Sequence, residues 1–302
     1  MRAEFAQAML ALHEQRKDLV FITGDIGYMA LEDVAQTYGE RFINAGVAEQ
    51  NAVALAAGLA RAGQLPWVYS IAPFVVLRPY EQIRNDLCLH KLPVKLVGNG
   101  GGYAYGIMGA THHALEDVGA MRVLPNLRIY APVAAADVGQ VVGMMAEDPL
   151  TNYLRLSTPA QIPGEIPAFA AWRRLKPGRK CVVIGMGPVV GNLYAAADEE
   201  LLDDIEIWSV GILPVADLPA DLAASLREKP RVVTIEEHYG ACGLGEALSH
   251  LFATHAVFLQ SFTTLSALGY PTERYGSQRW HQEQSGLAGQ ALCSRLRKVI
   301  HG

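Results

Sequence analysis

The chain has 302 residues, of which 51% are hydrophobic and 18% charged, a composition typical of folded domains rather than of disordered protein. A formal net charge of −5, with scattered basic residues, excludes the dense positive surface that nucleic-acid-binding proteins carry. No apolar run reaches the length of a transmembrane helix, and four widely spaced cysteines exclude a disulfide framework, so we expect a soluble cytoplasmic protein.

The first half of the chain alternates between helical patterns and short apolar runs. An amphipathic helix is predicted over 1–18, and a buried strand that runs into a glycine-rich turn is predicted over 18–27. Further strands are predicted at 66–71, 93–98, 127–132 and 152–157, with helices at 47–61, 75–90, 114–121 and 134–145. This alternation predicts an α/β fold with a mainly parallel sheet and helices on both faces.

A segment rich in proline and glycine, 158–178, interrupts the alternation and is predicted to be a linker. Its basic cluster, Arg173, Arg174 and Lys176, is expected to be solvated. Strands are predicted again at 181–187, 205–212 and 231–238, and a closing helix at 288–299. We therefore predict two doubly wound α/β domains, 1–157 and 179–302.

A glycine-rich turn at 185–191 follows a predicted strand and opens a helix, as a dinucleotide-binding fingerprint does. The spacing is GxGxxxG, and Pro188 lacks the N–H that would face a pyrophosphate. Glu206 lies inside the next strand rather than at its carboxyl end, where a ribose-binding acid belongs. These departures favour a tight structural turn over a nucleotide site.

A second glycine-rich segment, 98–117, lies between a predicted strand and a helix and carries His112 and His113. Open α/β sheets bind ligands beyond the carboxyl ends of their strands, so we expect this loop to contact a substrate. A flexible surface loop and a metal site are the alternatives, and neighbouring carboxylate ligands for a metal are not evident. By contrast, His238 and His281 are expected to be structural or interface residues, and the two glutamates at 236–237 to be solvated or at a subunit contact.

One carboxylate, Glu49, occurs in a stretch of small apolar residues, 41–63, at a position expected to be buried. Burial of an unpaired carboxylate costs several kcal/mol, so Glu49 needs a partner, a function, or the favourable field of a helix N-terminus. Asp25 invites comparison with the start of a magnesium–diphosphate motif, but the glycine that should follow it is missing. Asp25 is retained only as a candidate cofactor contact.

Four motifs occur in the order found in the pyrimidine-binding domain of transketolases, which this part of the chain resembles: FINAGVAEQNAVALAAGLA, YSIAPFVVLRPYEQIRND, THHALEDVGAMRVLPNLRIYAP and YLRLSTP. The 1-deoxyxylulose-5-phosphate synthases look similar over the same region. The second half, with VVTIEEH, resembles the transketolase C-terminal domain. The resemblance covers essentially the whole chain.

The resemblance implies thiamine diphosphate as cofactor, with Glu49 hydrogen-bonded to N1′ of its aminopyrimidine. A buried carboxyl group with a raised pKa can share a proton at N1′, which helps the cofactor to lose its thiazolium C2 proton. Phe74 and Val75 are the two candidates for contact with the pyrimidine ring. His112 is expected to be catalytic and to contact the substrate near the reacting carbons, and Arg78 is a further candidate for substrate binding.

Three departures from the family pattern concern the sugar. Met108 stands where the family has an aspartate for the donor's hydroxyl, Gly100 where transketolases have a histidine, and Thr158 where an arginine binds the acceptor phosphate. Met108 and Thr158 are therefore candidates for altered substrate contacts, because loss of a bidentate arginine is not conservative. We expect a non-standard sugar that is modified, non-phosphorylated or nucleotide-linked.

The resemblance begins after the domain that holds Mg²⁺ and the diphosphate in whole transketolases. The chain therefore resembles the second, β-type half of a split transketolase, which transfers a two-carbon ketol unit between sugars. A partner subunit is expected to supply the diphosphate and Mg²⁺ ligands, in a dimer of heterodimers. The alternatives are an acyl-transferring relative with a pyruvate-like donor and a non-catalytic partner of a transketolase.

Overall fold

The structure is a computed structural model that describes residues 1–27 and 29–301. Its strands are β1 Leu19–Thr23, β2 Phe42–Asn44, β3 Leu65–Ile71, β4 Lys95–Asn99, β5 Leu127–Tyr130, β6 Thr151–Leu156, β7 Trp172–Lys176, β8 Cys181–Met186, β9 Ile205–Val210, β10 Ile212–Leu213, β11 Arg231–Glu236 and β12 Ser261–Leu265. Its α-helices are α1 Arg2–Gln15, α2 Glu32–Tyr38, α3 Glu49–Arg61, α4 Ala72–Leu77, α5 Tyr80–Gln82, α6 Asp117–Arg122, α7 Asp137–Glu147, α8 Gly191–Ala196, α9 Glu199–Asp204, α10 Ala220–Glu228, α11 Leu244–Thr254, α12 Gln278–Gln284 and α13 Gly289–His301. Short 3₁₀ turns occur at Gly39–Arg41, Gly106–Met108 and Pro188–Val190, and a π-helical turn at Ile83–Cys88.

The first sheet has the strand order β10-β5-β6-β4-β3-β1-β2, and its strands are parallel except for β10, which pairs antiparallel with β5. Inner strands such as β1 are buried along their whole length, as expected for a sheet that helices cover on both faces. One face packs against α1 and α7, and the other against α3 and α4. The predicted doubly wound, mainly parallel architecture is confirmed.

The second sheet has the order β12-β11-β8-β9-β7 and is parallel except for β7, which pairs antiparallel with β9. Strand β7 lies inside the segment predicted as a linker. The basic cluster there is expected to be solvated, and for Arg173 this expectation is wrong. Arg173 is buried and donates two hydrogen bonds to the Asp137 carboxylate at 2.6 and 2.7 Å. A bidentate ion pair offsets the desolvation of this guanidinium, and Arg174 remains about half exposed.

Apolar packing is continuous between the two sheets. One buried cluster joins Val68 and Leu96 of the first sheet to Ile184 and Val232 of the second. The two α/β units therefore share a core. No helix within the described residues has both the length and the apolar character needed to cross a membrane.

The helix predicted over 75–90 is divided. Helix α4 ends at Leu77, Pro79 follows, and α5 continues into the π-helical turn. Proline has no N–H for the helical ladder and its ring crowds the preceding turn, which accounts for the break. The break separates the side chains of α4 from those of α5. Side chains of α4 lie at the site described next.

Candidate active site

Four adjacent parallel strands of the first sheet, β6, β4, β3 and β1, end at a common edge. Gly24 follows β1, Ser70 lies near the end of β3, Gly100 follows β4 and Ser157 follows β6. Ligands of open α/β sheets bind beyond the carboxyl ends of the strands. This edge is therefore the candidate active site.

Glu49 is the first residue of α3, and only 3% of its surface is exposed. Its Oε1 accepts a hydrogen bond from Ser70 Oγ at 3.1 Å, and its Oε2 accepts one from Arg78 Nη1 at 2.8 Å. A methyl group at Gly24 would lie 3.7 Å from Oε1, so the backbone after β1 also approaches the carboxylate. The helix N-terminus favours a negative charge at this position. The buried carboxylate thus has partners on two other elements.

Phe74 and Arg78 lie four residues apart on α4 and at its end, which places them on one face of the helix. The Arg78 guanidinium carbon lies 4.0 Å from the centroid of the Phe74 ring. The same guanidinium is paired with Glu49. Arg78 thus covers the aromatic ring and binds the carboxylate at the same time, while 39% of its side chain is exposed.

His112 continues this row of contacts. Its ring lies edge-on to Phe74, with centroids 5.3 Å apart, and 5.9 Å from the ring centroid of Tyr105. Thr111 Oγ1 lies 2.9 Å from Nδ1 and orients the imidazole. A continuous row of side chains therefore runs from Glu49 through Arg78, Phe74 and His112 to Tyr105. We call it the site row.

A surface pocket lies at the far end of the site row. It is lined by Arg2, Asn99, Gly100, Tyr105, Ser157 and Thr158, among others. Burial raises the pKa of Tyr105, while the hydrogen bond from Asn99 Nδ2 at 2.9 Å and the positive charge of Arg2 act against this rise. Arg2 thus brings a cation from α1 to the pocket where Thr158 is exposed.

His113 faces the opposite way from its neighbour. Its Nδ1 lies 2.9 Å from the Tyr270 hydroxyl and its Nε2 lies 2.8 Å from the Gly106 carbonyl. Burial lowers the pKa of His113 to about 4, so the ring is neutral at physiological pH. This histidine attaches the glycine-rich loop to the second unit. Its neighbour His112 faces the site row.

Two family models match the chain. The model described as "Transketolase, pyrimidine binding domain" matches residues 1–161, and "Transketolase, C-terminal domain" matches residues 170–288. The chain belongs to the transketolase family. The resemblance noted in the sequence is thereby confirmed for both halves.

Similar transketolases include proteins made as separate halves. The chain is 30% identical to one of the subunits of the apulose-4-phosphate transketolase of Phocaeicola vulgatus, over 99% of this chain and 97% of that protein. It is 31% identical to a putative transketolase C-terminal section of Methanocaldococcus jannaschii over 85% of this chain and 83% of that protein. A solved structure of a split gene transketolase, described as an inactive beta4 tetramer, superposes with a TM-score of 0.83 at 26% identity, covering 99% of this chain and 97% of that chain.

The site of this transketolase chain contains most, but not all, of the residues predicted for it. Val75 is fully buried in the core on the inner face of α4, so it does not join the site row, and its contact with the pyrimidine stays a prediction. Phe74, one residue earlier, presents its ring to the site instead. The helical turn accounts for this, because successive residues point about 100° apart.

Asp25 and Met108 lie near the site without joining the site row. The Asp25 N–H donates to Asn44 Oδ1, and its Oδ1 accepts a hydrogen bond from Asn44 Nδ2, each at 3.0 Å. Met108 ends the 3₁₀ turn of the glycine-rich loop and is 53% exposed. Within the described residues, no group of three or more His, Cys, Asp or Glu side chains could hold a metal ion.

The expectation that Glu236 and Glu237 are solvated or at a subunit contact is wrong. Both are buried, and burial raises the pKa of each, that of Glu236 to about 7. Glu236 accepts hydrogen bonds from the N–H groups of Leu244 and Gly245. Two acids after a strand resemble a solvated turn in sequence, and only the packing of the two units encloses them.

Sequence reasoning also missed Arg2 and Arg155. Arg2 belongs to an N-terminal helix whose amphipathic pattern gives no sign of a site. Arg155 is 3% exposed and paired with Asp117 at 2.7 Å. Its Nη2 also donates to the carbonyl groups of Ala114 and Glu237. These partners hold its guanidinium between the two units.

Proposed function

We propose that this chain is the β-type subunit of a two-chain, thiamine diphosphate-dependent transketolase that transfers a two-carbon ketol unit between sugars. The observation that carries the proposal is Glu49, a buried carboxylate at the carboxyl edge of the sheet, in a chain of this family. Glu49, the proposed cofactor contact, lies at one end of the site row. The same row contains His112, the proposed substrate contact. Free cysteines throughout the chain agree with work in the cytoplasm.

The donor set fits the aminopyrimidine of the cofactor. Glu49 supplies an acceptor for a proton at N1′, Ser70 holds one oxygen of that carboxylate, and Phe74 supplies an aromatic face. When bound between these residues, thiamine diphosphate would supply a carbon nucleophile for the carbonyl group of a ketose. Arg78 must leave both Glu49 and Phe74 before an aromatic ring can take its place, because the guanidinium covers these two groups.

His112 is the group of this chain that we assign to the donor sugar. Its imidazole lies edge-on to Phe74, and its orientation is fixed through Nδ1 by Thr111. We propose that Nε2 holds a proton at the oxygen of the carbonyl carbon that is attacked. An imidazole suits this task because one ring nitrogen can donate a hydrogen bond while a neighbour holds the other.

We propose a non-standard sugar as substrate. Met108, Gly100 and Thr158 replace the residues that read sugar and phosphate in transketolases, and the name of one relative refers to apulose-4-phosphate. Arg2 contributes one cation to the pocket beside Thr158. A single arginine binds a phosphate more weakly than two or more basic groups would.

The partner is an N-terminal-half subunit that carries the diphosphate and Mg²⁺ ligands, in a dimer of heterodimers. Relatives named as one subunit of a transketolase and as a C-terminal section support a split enzyme, as does the structural match to an inactive beta4 tetramer. We propose that this chain is likewise inactive when its partner is absent.

The test is the substitution Glu49→Gln in the reconstituted two-chain enzyme. An amide cannot share a proton with N1′, so we expect ketol transfer to fall by about a hundredfold or more. Exchange of the thiazolium C2 proton for deuterium, followed by NMR, should slow in parallel. Glu206→Gln is the matched control, because Glu206 is a buried carboxylate of the second unit that is paired with Lys229.

An unchanged exchange rate in Glu49→Gln would remove Glu49 from the cofactor site. Activity with a pyruvate-like donor but with no ketose would identify the acyl-transferring alternative. Full activity of a partner that lacks this chain would identify a non-catalytic subunit.

A further inference from the structure

The base of the loop that carries His112 is held by the second unit. We call residues 100–116, which lie within the glycine-rich segment 98–117, the histidine loop. Glu237 follows β11, is 4% exposed, and directs its carboxylate at this loop. Oε1 accepts a hydrogen bond from the Tyr103 N–H at 2.5 Å, and Oε2 accepts one from Gln282 Nε2 at 2.6 Å. Gln278 Nε2 lies within 3.2 Å of both oxygens.

The approach between the histidine loop and this carboxylate is very close. A methyl group at Gly102 would lie 2.5 Å from Glu237 Oε1, and one at Gly101 would lie 2.8 Å from Arg155 Cγ. Gly102 also has a φ of +69°, which side chains rarely adopt. The loop base therefore rests directly on Glu237 and Arg155, with no room for a side chain between them.

The contacts at the base extend to His112. Gly102 and Ala114 exchange two backbone hydrogen bonds, of 3.0 and 2.9 Å, which close the loop. Arg155 Nη2 donates to the carbonyl groups of Ala114 and Glu237, so it connects the closed base to the end of β11. His112 lies two residues before Ala114. A displaced base would consequently displace the imidazole from Phe74.

All the hydrogen-bonding groups that face the Glu237 side chain are N–H donors. An ionised carboxylate, which only accepts, matches them, whereas a neutral amide of the same shape would direct its own N–H₂ at one of them. Burial raises the pKa of Glu237, and the hydrogen bonds from Gln282, Tyr103 and Gln278 together with the charge of Arg155 oppose that rise. The site is thus built for a carboxylate.

We propose that Glu237 is a positioning residue of the transketolase reaction: its carboxylate fixes the base of the histidine loop and so places His112 against Phe74. The proposal rests on the proposed function, in which His112 contacts the donor sugar. The second unit thereby contributes to catalysis although it lies outside the site row.

The test compares two adjacent buried glutamates in the reconstituted two-chain enzyme. Glu237→Gln places an amide against the loop donors, whereas Glu236→Gln, the matched control, changes a carboxylate that accepts hydrogen bonds from Leu244 and Gly245 of α11 and lies 3.8 Å from His238 Nδ1. We expect Glu237→Gln to lower kcat/KM for the donor about tenfold or more, and Glu236→Gln to change it less than about twofold. C2 proton exchange should stay unchanged in both.

A double-mutant cycle with His112→Asn separates positioning from general damage. If Glu237 acts through His112, adding Glu237→Gln to His112→Asn costs little further activity. Additive losses, or equal losses in the two glutamate variants, would overturn the proposal. If His112→Asn alone leaves activity intact, the role of His112 in the proposed function fails, and the positioning role fails with it.

A second variant covers the case in which Glu237→Gln does not assemble. Gly102→Ala presses a methyl group against the carboxylate from the loop side. It should reproduce the fall in kcat/KM with unchanged C2 proton exchange. Wild-type kinetics in Gly102→Ala would contradict the proposal.

Discussion

At the scale of single residues, Arg78 compensates the buried charge of Glu49. The sequence suggests a lone carboxylate, and the structure gives that carboxylate an arginine and a serine as partners. The ion pair with Arg78 offsets the desolvation of Glu49, since a buried charge without a partner is strongly destabilising. The Arg78 side chain is 39% exposed, so the ion pair lies at the surface of the candidate site.

A second consequence at this scale concerns phosphorylated acceptors. We expect the reconstituted enzyme to prefer a phosphorylated aldose over its matched free aldose by less than about a hundredfold, because a charge-assisted hydrogen bond contributes roughly 1.5–3 kcal/mol and Thr158 cannot supply one. Steady-state kinetics with matched aldose pairs measure this ratio. Arg2→Gln should lower the ratio further, and Thr158→Arg should raise it.

A larger preference for the phosphorylated sugar in the wild-type enzyme would contradict this prediction. It would mean that Arg2 and the partner subunit together bind the acceptor phosphate, in place of an arginine at position 158. An ordinary sugar-phosphate transketolase would then be the better description.

His113 makes the stability of the fold depend on pH. Burial lowers the pKa of His113 from 6.5 to about 4, so between these values the unfolded chain binds more protons than the folded chain. The stabilisation is complete above pH 6.5 and is lost as the pH falls toward 4, with a slope of up to about 1.4 kcal/mol per pH unit. Urea denaturation from pH 7 to pH 4 measures the free energy of unfolding.

We expect His113→Gln to have a shallower decline than the wild type, because one titrating group is removed. His250→Gln is the control, since that histidine of α11 is exposed. Equal slopes in the wild type and His113→Gln would show that His113 does not titrate in this window.

Backbone conformation decides the sign of glycine substitutions at the scale of elements. Gly143, inside α7, and Gly63, after α3, each have open space where a Cβ would lie. Gly63 has a φ of +84°, a left-handed conformation. We expect Gly143→Ala to stabilise the fold by about 0.5–1 kcal/mol and Gly63→Ala to destabilise it by a similar or larger amount. Thermal unfolding of both variants provides the measurement.

These two glycines serve as controls for each other, because space alone would predict the same sign for both. A rise in melting temperature for Gly63→Ala would show that its backbone relaxes from the left-handed region. A fall for Gly143→Ala would show that the exposed face of α7 is covered in the assembly.

The sequence predicts the long elements better than the short ones. Strand β8 is a continuous apolar run, and β11 contains Val232, Val233 and Ile235, so their patterns identify them. Strands β2 and β10 have three and two residues, too few for any periodicity, and they form because a neighbouring strand offers hydrogen bonds. Strand β7 lies among prolines and basic residues, so its sequence does not show the apolar pattern of a strand. Arg173 is buried because it forms an ion pair with Asp137 of α7.

The site divides in the same way. Glu49 can be proposed from the sequence because a carboxylate is unusual in its apolar surroundings, and His112 because the resemblance to transketolases implies a substrate contact there. The contacts of Arg78, Arg155 and Glu237 depend on elements more than 25 residues away, and nothing local indicates them. Tertiary packing determines which of several similar polar residues is enclosed.

At the scale of the whole molecule, the proposed division of the cofactor site between two chains predicts how the cofactor binds. We expect the isolated chain to bind thiamine diphosphate at least about a hundredfold more weakly than the reconstituted complex, because the diphosphate and Mg²⁺ ligands belong to the proposed partner. Titration calorimetry with cofactor and Mg²⁺, on the chain alone and on the complex, measures both affinities. Tight one-to-one binding by the chain alone would show that the split-site proposal is wrong.

Strand β10 makes the two units mutually dependent. It belongs by sequence to the second half, yet it pairs with β5 and forms the last strand of the first sheet. A fragment cut in the segment between the units would leave the N–H and C=O groups of β5 without this partner and would expose apolar surface that the shared core covers. Unpaired sheet edges recruit strands from other chains, so such a fragment would be prone to aggregate. A division of this chain between its two units would therefore cost both a strand pairing and the apolar contacts of the shared core.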